Sequence, residues 1–197
     1  DDSVVFHASS PVRTYWKIEN KNVYTGKGWE TGSGYGGSQR IESSEPAMLY
    51  DYRGANQNTE SEAELEFEID HGHIPYPSPM AIDAIYNLNE EEESAFSGIL
   101  YSANSSQITP VYEGEEKKEL KEAGIRFKKP TYYLEDLQGI QQADIMDAIY
   151  NEDSVRQALD LPENLPDRVT NLAFELAEKA DSNSIYDHVK EIETYLK

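Results

Sequence analysis

Asp70, His71 and His73, in the stretch DHGH, have types and spacing that could do chemistry, because two imidazoles and a neighbouring carboxylate suit a transition metal. A turn at a strand end has the same composition: Gly72 separates the histidines, and no further ligand is identifiable. Gly32, Gly34 and Gly37 satisfy the letters of a dinucleotide fingerprint, but that loop needs an apolar strand before it and a helix after it. Here KGWET precedes and SQRIESSEP follows, so the glycines read as a mobile loop. The segment from Asp181 starts like a calcium loop, yet Tyr186 holds the place of its glycine and Ile192 that of its bidentate glutamate, which leaves a helix connector. No nucleophile elbow or HExxH is present, and no spacing singles out a Ser–His–Asp triad or a carboxylate pair among 38 acids. Trp16, Tyr24 and Trp29 could stack a sugar, but Trp16 and Tyr24 share the apolar face of one expected strand, which favours core packing. The residues therefore nominate no catalytic, cofactor-binding or metal-binding side chain.

The elements that would carry these residues change character along the chain. SVVFHA (Ser3–Ala8) reads as a strand, as do Trp16–Tyr24, with Trp16, Ile18 and Tyr24 inward, ending at a bulge or turn at Gly26 and Gly28. Thr31–Arg40 reads as an exposed loop. Glu62–Asp70 alternates strictly: Ala63, Leu65, Phe67 and Ile69 face inward, and Glu62, Glu64, Glu66 and Glu68 form a solvated face that discourages edge-to-edge pairing. Ile74–Pro79, with three prolines, must be extended near an edge or outside the ladder. Further strands are expected at Ala81–Tyr86, Ser97–Tyr101, Ser106–Tyr112, Gly124–Phe127 and Thr131–Leu134, with charged connectors at 87–94 and 113–124.

From Gln141 the apolar period lengthens to that of a helix: Ile145, Met146 and Ile149 form a short face, and Asp153-Ser154 can cap a further turn reaching Leu159. After LPENLP, Val169, Leu172, Ala173 and Leu176 make one stripe, with Pro166 suited to the first turn; Ile185, Val189, Ile192 and Leu196 make another, with Ser184 and Asp187 spaced as a capping box. The expected fold is α+β, an antiparallel β-sandwich or open barrel over residues 1–140 followed by a C-terminal helical hairpin within 141–197.

Bulk chemistry narrows the function. With 38 acidic and 17 basic residues the net charge is −21, a field that repels nucleic acid and disfavours anionic membrane surfaces and wall polymers. There is no cysteine, so thiolate catalysis, disulfides and Cys-type metal sites are excluded for this chain. No apolar run reaches the roughly 20 residues that span a bilayer. The chain starts at Asp1 rather than methionine and stops at Lys197 inside a helical pattern, and is expected to be a piece of a longer protein.

Two stretches resemble a known family. Tyr15-Trp16-Lys17 followed by Val23-Tyr24-Thr25-Gly26-Lys27-Gly28-Trp29 is similar to the YWR…YDGxGW stretch of bacterial membrane-anchored transglutaminase-like proteins, with Lys17 where arginine and Thr25 where aspartate is usual. Leu159–Lys197 resembles the family's LPxxLPxRVxxLAxxI…YDKAxAIExYL segment, which leads into the transglutaminase core. The resemblance implies a parent protein with a Cys-His-Asp centre beyond Lys197, in which histidine activates a cysteine thiolate. It implies an extracytoplasmic location, tethered by transmembrane helices outside this sequence, and as partners the protein's own core and a cell-envelope protein or peptide substrate. The chain itself would be non-catalytic and would position or regulate that core. The alternative, from another class, is a cell-surface glycan- or peptide-binding module acting through Trp29, Tyr35 and the glycine loop.

Overall fold

The structure is a computed structural model, and it describes residues 3–32, 37–43, 45–47, 49, 55–89, 95–114, 118–141, 143, 145–146, 159–180 and 183–197. It is α+β: antiparallel sheets, then helices toward the C-terminus. The chain divides into two compact units, one of Asp1–Asn20 with Gly36–Thr131 and one of Lys21–Tyr35 with Tyr132–Lys197.

The first unit is built on two antiparallel sheets. Strands β1 (Phe6–Ser9), β6 (Gln57–Phe67), β11 (Glu122–Thr131) and β8 (Ala81–Tyr86) form one, in the order β1-β6-β11-β8. Strands β10 (Gln107–Val111), β9 (Gly98–Ser102) and β5 (Ser38–Glu42) form the other. A two-stranded ribbon pairs β2 (Tyr15–Lys17) with β7 (Tyr76–Ser78). Alternation decides the faces: Ala63 and Leu65 on β6 and Ala123, Ile125 and Phe127 on β11 are buried, while Glu62, Glu64 and Glu66 are exposed. The second sheet contributes Ile41, Ile99 and Ile108 to the same core. Both sheets thus bury one face against common apolar contents, the arrangement of a sandwich.

Several local expectations are corrected. Trp16 and Tyr24 do not share a strand: Trp16 lies on β2 in the first unit, edge-on to Phe6 at 5.8 Å, whereas Tyr24 lies on β3 (Val23–Tyr24) in the second. Ile18 is exposed rather than inward, because β2 stops at Lys17. Ser38–Arg40 is strand rather than loop, paired along β9. Ile69 is also exposed, since β6 ends at Phe67; and β6 is a central strand, so its glutamates clothe a solvated face between β1 and β11. Leu134 begins a helix instead of ending a strand. The proline stretch behaves as its chemistry requires: among the described strands β7 pairs only with β2, and Ile74, Tyr76 and Pro77 are buried. Ile149, Asp153 and Ser154 lie outside the described residues; Ile145 and Met146 are helical.

One core position is poorly matched to its side chain. The Tyr112 hydroxyl is buried and has no hydrogen-bond partner among the described residues, and burial, then the charge of Asp70, pushes its pKa up to about 12. Tyr112→Phe removes a desolvated group at no loss of volume and is expected to raise stability by about 0.5–1 kcal/mol in a denaturant melt. An unfolded tyrosine ionises near 10 while the folded one resists to about 12, so the wild-type chain loses stability as pH rises through that window. In an absorbance titration the late phenolate amplitude should fall by one tyrosine in Tyr112→Phe, leaving that of Tyr86, whose pKa burial also raises; an unchanged amplitude would count against this assignment.

Candidate functional site

The histidine stretch is a structural polar network. Asp70 Oδ1 accepts the Gly72 amide at 2.7 Å, closing a turn in which Gly72 has φ +74°, and His71 is exposed. Among the described residues no cluster of three or more histidine, aspartate or glutamate side chains could hold a metal ion. His73 turns to β10: its Nδ1 lies 3.1 Å from Thr109 Oγ1 and its Nε2 lies 3.4 Å from Gln107 Nε2. Ser105 Oγ donates to Gln107 Oε1 at 2.8 Å, which orients the amide, and Gln107 Nε2 also donates to Glu19 at 3.3 Å. The His73 ring thus lies between a threonine hydroxyl and a glutamine amide, both on β10. The network ties the β9–β10 turn to Asn20, whose Nδ2 meets Ser106 Oγ at 3.2 Å, and to Tyr76, whose hydroxyl donates to Ser106 O at 2.9 Å.

The second unit carries the more suggestive surface. Strand β3 pairs with β4 (Trp29–Glu30) through a turn held by Thr25, whose hydroxyl donates to Gly28 O at 3.1 Å and accepts the Gly28 amide at 3.2 Å. Asn22 closes the ribbon's other end by accepting the Gly32 amide at 2.7 Å. Tyr24 and Trp29 lie side by side with ring centroids 5.1 Å apart, and Trp29 is 53% exposed. Gly26, with φ +84°, stands against Pro162 and Asn164. The LPENLP stretch thus reaches the glycine turn from more than 130 residues away in sequence. Gly34 and Tyr35 lie outside the described residues; Gly32 belongs to this ribbon and Gly37 precedes β5.

Among the described residues the unit includes the helices α1 (Leu134–Gly139), α2 (Asp167–Lys179) and α3 (Ile185–Leu196). Pro166 occupies the N-cap of α2, just before its first turn, where its missing amide costs nothing. Ser184 takes the N-cap of α3, but its side chain makes no capping bond, so the hydroxyl half of the expected capping box is missing. The entry is held instead by backbone, with Ile185 N–H donating to Ile140 O at 3.2 Å beside a Gln141–Ser184 bridge. At the far end, Lys190 and Lys197 both donate to Glu193, whose carboxyl they hold down to about 2.

What the helices leave uncovered is informative. Leu176, at 7% exposure, is the one buried apolar residue of this unit among the described residues. Val169, Phe174, Val189, Ile192, Tyr195 and Leu196 are all exposed, the last by 75%. Phe174 lies on the opposite side of α2 from the Leu172–Leu176 stripe, so α2 is apolar on two sides. A cleft of about 520 Å³ opens along α2 beside Tyr195, with Val169 and Leu172 as its apolar wall. Helices with apolar stripes are more stable when those stripes are covered, and here much of the apolar surface is exposed. The apolar stripes of the two C-terminal helices were visible in the sequence; the pairing of β3 with β4 and their place in one unit with the helices were not.

No protein-family model matches the chain, and no solved structure matches it. An uncharacterized protein of Bacillus subtilis (strain 168), YebA, is 28% identical over 202 residues, a match that covers all of this chain and 25% of YebA. The chain thus spans about a quarter of the length of that relative. No helix among the described residues is long and apolar enough to cross a membrane.

Proposed function

We propose that this chain is a non-catalytic, extracytoplasmic domain of a transglutaminase-like membrane protein, and that it positions or regulates a Cys-His-Asp core lying beyond Lys197. One observation carries the reading. Val23–Trp29, the second part of the first family-like stretch, and Leu159–Lys197 are far apart in sequence yet belong to one compact unit, with Gly26 against Pro162, while Tyr15–Lys17 lies on β2 in the other unit. That unit also exposes the apolar faces of α2 and α3, which suit coverage by a further domain of the same protein. The alignment of the whole chain to a quarter of YebA is compatible with a domain of this size inside a larger protein.

The test uses the parent gene. Its reading frame should continue past Lys197 into a cysteine, histidine and aspartate in core-like context; their absence would end the proposal. In that parent protein, Phe174→Glu should lower acyl-transfer activity about tenfold, equivalent to about 1.4 kcal/mol of lost docking. Its unfolding midpoint in the isolated chain should move little, because Phe174 is an exposed residue.

A further inference from the structure

The first unit holds a second cleft, on the outer face of the β8–β11 pair, of about 440 Å³. That is within the volume range of small-molecule sites. Three departures from regular sheet build it. The β8–β11 ladder shifts by one between Arg126 and Phe127, opposite Ala84 and Ile82, and leaves Asp83 as the extra residue of a bulge. Bulges re-aim side chains, and here the Asp83 carboxylate meets Lys128 Nζ at 2.8 Å while its carbonyl accepts the Ala47 amide at 2.6 Å. That last bond brings Ala47 to β8, and Ser43, Glu45 and Pro46 line the cleft as its wall. Finally, Tyr86 lies across Gly124 on β11: a Cβ there would fall 2.3 Å from the ring, so only glycine admits the ring in this position. Arg126 stands beside it, 5.9 Å from the ring centroid.

The cleft therefore presents two cations, Arg126 and Lys128, two carboxylates, Asp83 and Glu45, and an apolar strip of Tyr86, Pro46 and Ala84. Arg126 also pairs with Glu62 at 2.8 Å, with both side chains about half exposed. Exposed pairs of this kind are worth ~0–1 kcal/mol, so a ligand carboxylate can exchange for Glu62 at little cost. The long-range field decides the ligand's net charge. At −21 the protein repels anions, and simple cations gain from its field everywhere on the surface, not in this cleft alone. A neutral dipolar ligand escapes both effects and matches the juxtaposed signs. We propose that this cleft binds a small zwitterion with an aliphatic side chain, an α-amino acid or dipeptide, its carboxylate on Arg126 and Lys128 and its ammonium on Asp83 and Glu45. The site belongs to the first unit and stands or falls separately from the docking role of the helices.

The test is an NMR titration of the whole chain with L-alanyl-L-alanine. Saturable shifts are expected at Asp83, Tyr86, Gly124, Arg126 and Lys128, with core amides such as Ile108 unmoved as the check on folding. Acetylating the dipeptide's amine, or amidating its carboxylate, should each weaken binding about tenfold, the loss of one charged contact. Arg126→Gln, on an exposed side chain, should weaken it similarly. No saturable shift at millimolar dipeptide overturns the proposal. Equal binding of the blocked dipeptides overturns it too, since it would show that the charges do not select the ligand.

Discussion

Phe127→Ala is expected to cost about 3–5 kcal/mol of folding stability, the usual range for deleting a buried phenylalanine side chain. Phe127 is fully buried at the middle of β11, the strand that joins β6 to β8, and it sits opposite Ser61 on one neighbour and Ile82 on the other. It belongs to the core cluster to which both sheets contribute. Domains have only about 5–15 kcal/mol in hand, and the variant is expected to be partly unfolded at physiological temperature. A urea melt checks this: the midpoint should fall strongly for alanine and by under about 1.5 kcal/mol for Phe127→Leu, which keeps most of the volume. Similar losses for both would mean that shape, rather than buried volume, governs the site.

Gly98→Ala should be nearly as damaging although it adds a single methyl group. Gly98 opens β9, the central strand of the three-stranded sheet, and pairs with Glu42 on β5 and Val111 on β10. A Cβ there would lie 2.5 Å from the Ile41 carbonyl oxygen and 3.1 Å from Glu42 Cα. Both obstacles are backbone, so a rotamer change cannot relieve them and β5 must move off β9. Overpacking of this kind costs about 1–3 kcal/mol, and the upper end is expected here. Amide exchange supplies the specific signature: protection should be lost along β5 before it is lost in β6 and β11. Uniform loss across both sheets would show that the strain is not local to the β5 edge.

Legibility followed physical range. The alternation of Ala63 and Leu65 with Glu62, Glu64 and Glu66 announced which face of β6 is wet, because side chains on a strand point to opposite sides whatever the partner. The same pattern could not reveal that β6 is central, since its neighbours β1 and β11 lie about 50 to 60 residues away on either side. Strand β8 was expected at Ala81–Tyr86, yet Ile82 and Ile85 are both buried at a spacing of three, which suits a helix as well as a strand. The bulge at Asp83 reconciles them, and a bulge is a property of the pairing with β11 rather than of β8 alone. Trp16 and Tyr24 failed as one strand for a similar reason: each joins a ribbon whose partner, β7 or β4, is invisible to local periodicity.

By itself, the sequence determined the α+β class, the solvated acidic face of β6, the two C-terminal helices and the absence of thiol chemistry. These depend on residue type and on periods of two or 3.6, which are local. The tertiary structure alone decided that DHGH is a tethered turn, that the Trp29 ribbon folds with the LPENLP segment, and that Asp83, Tyr86, Arg126 and Lys128 line one cleft. Each of these depends on which distant backbones lie side by side. That choice is made by the shared burial of the whole core, a quantity no short stretch of sequence contains.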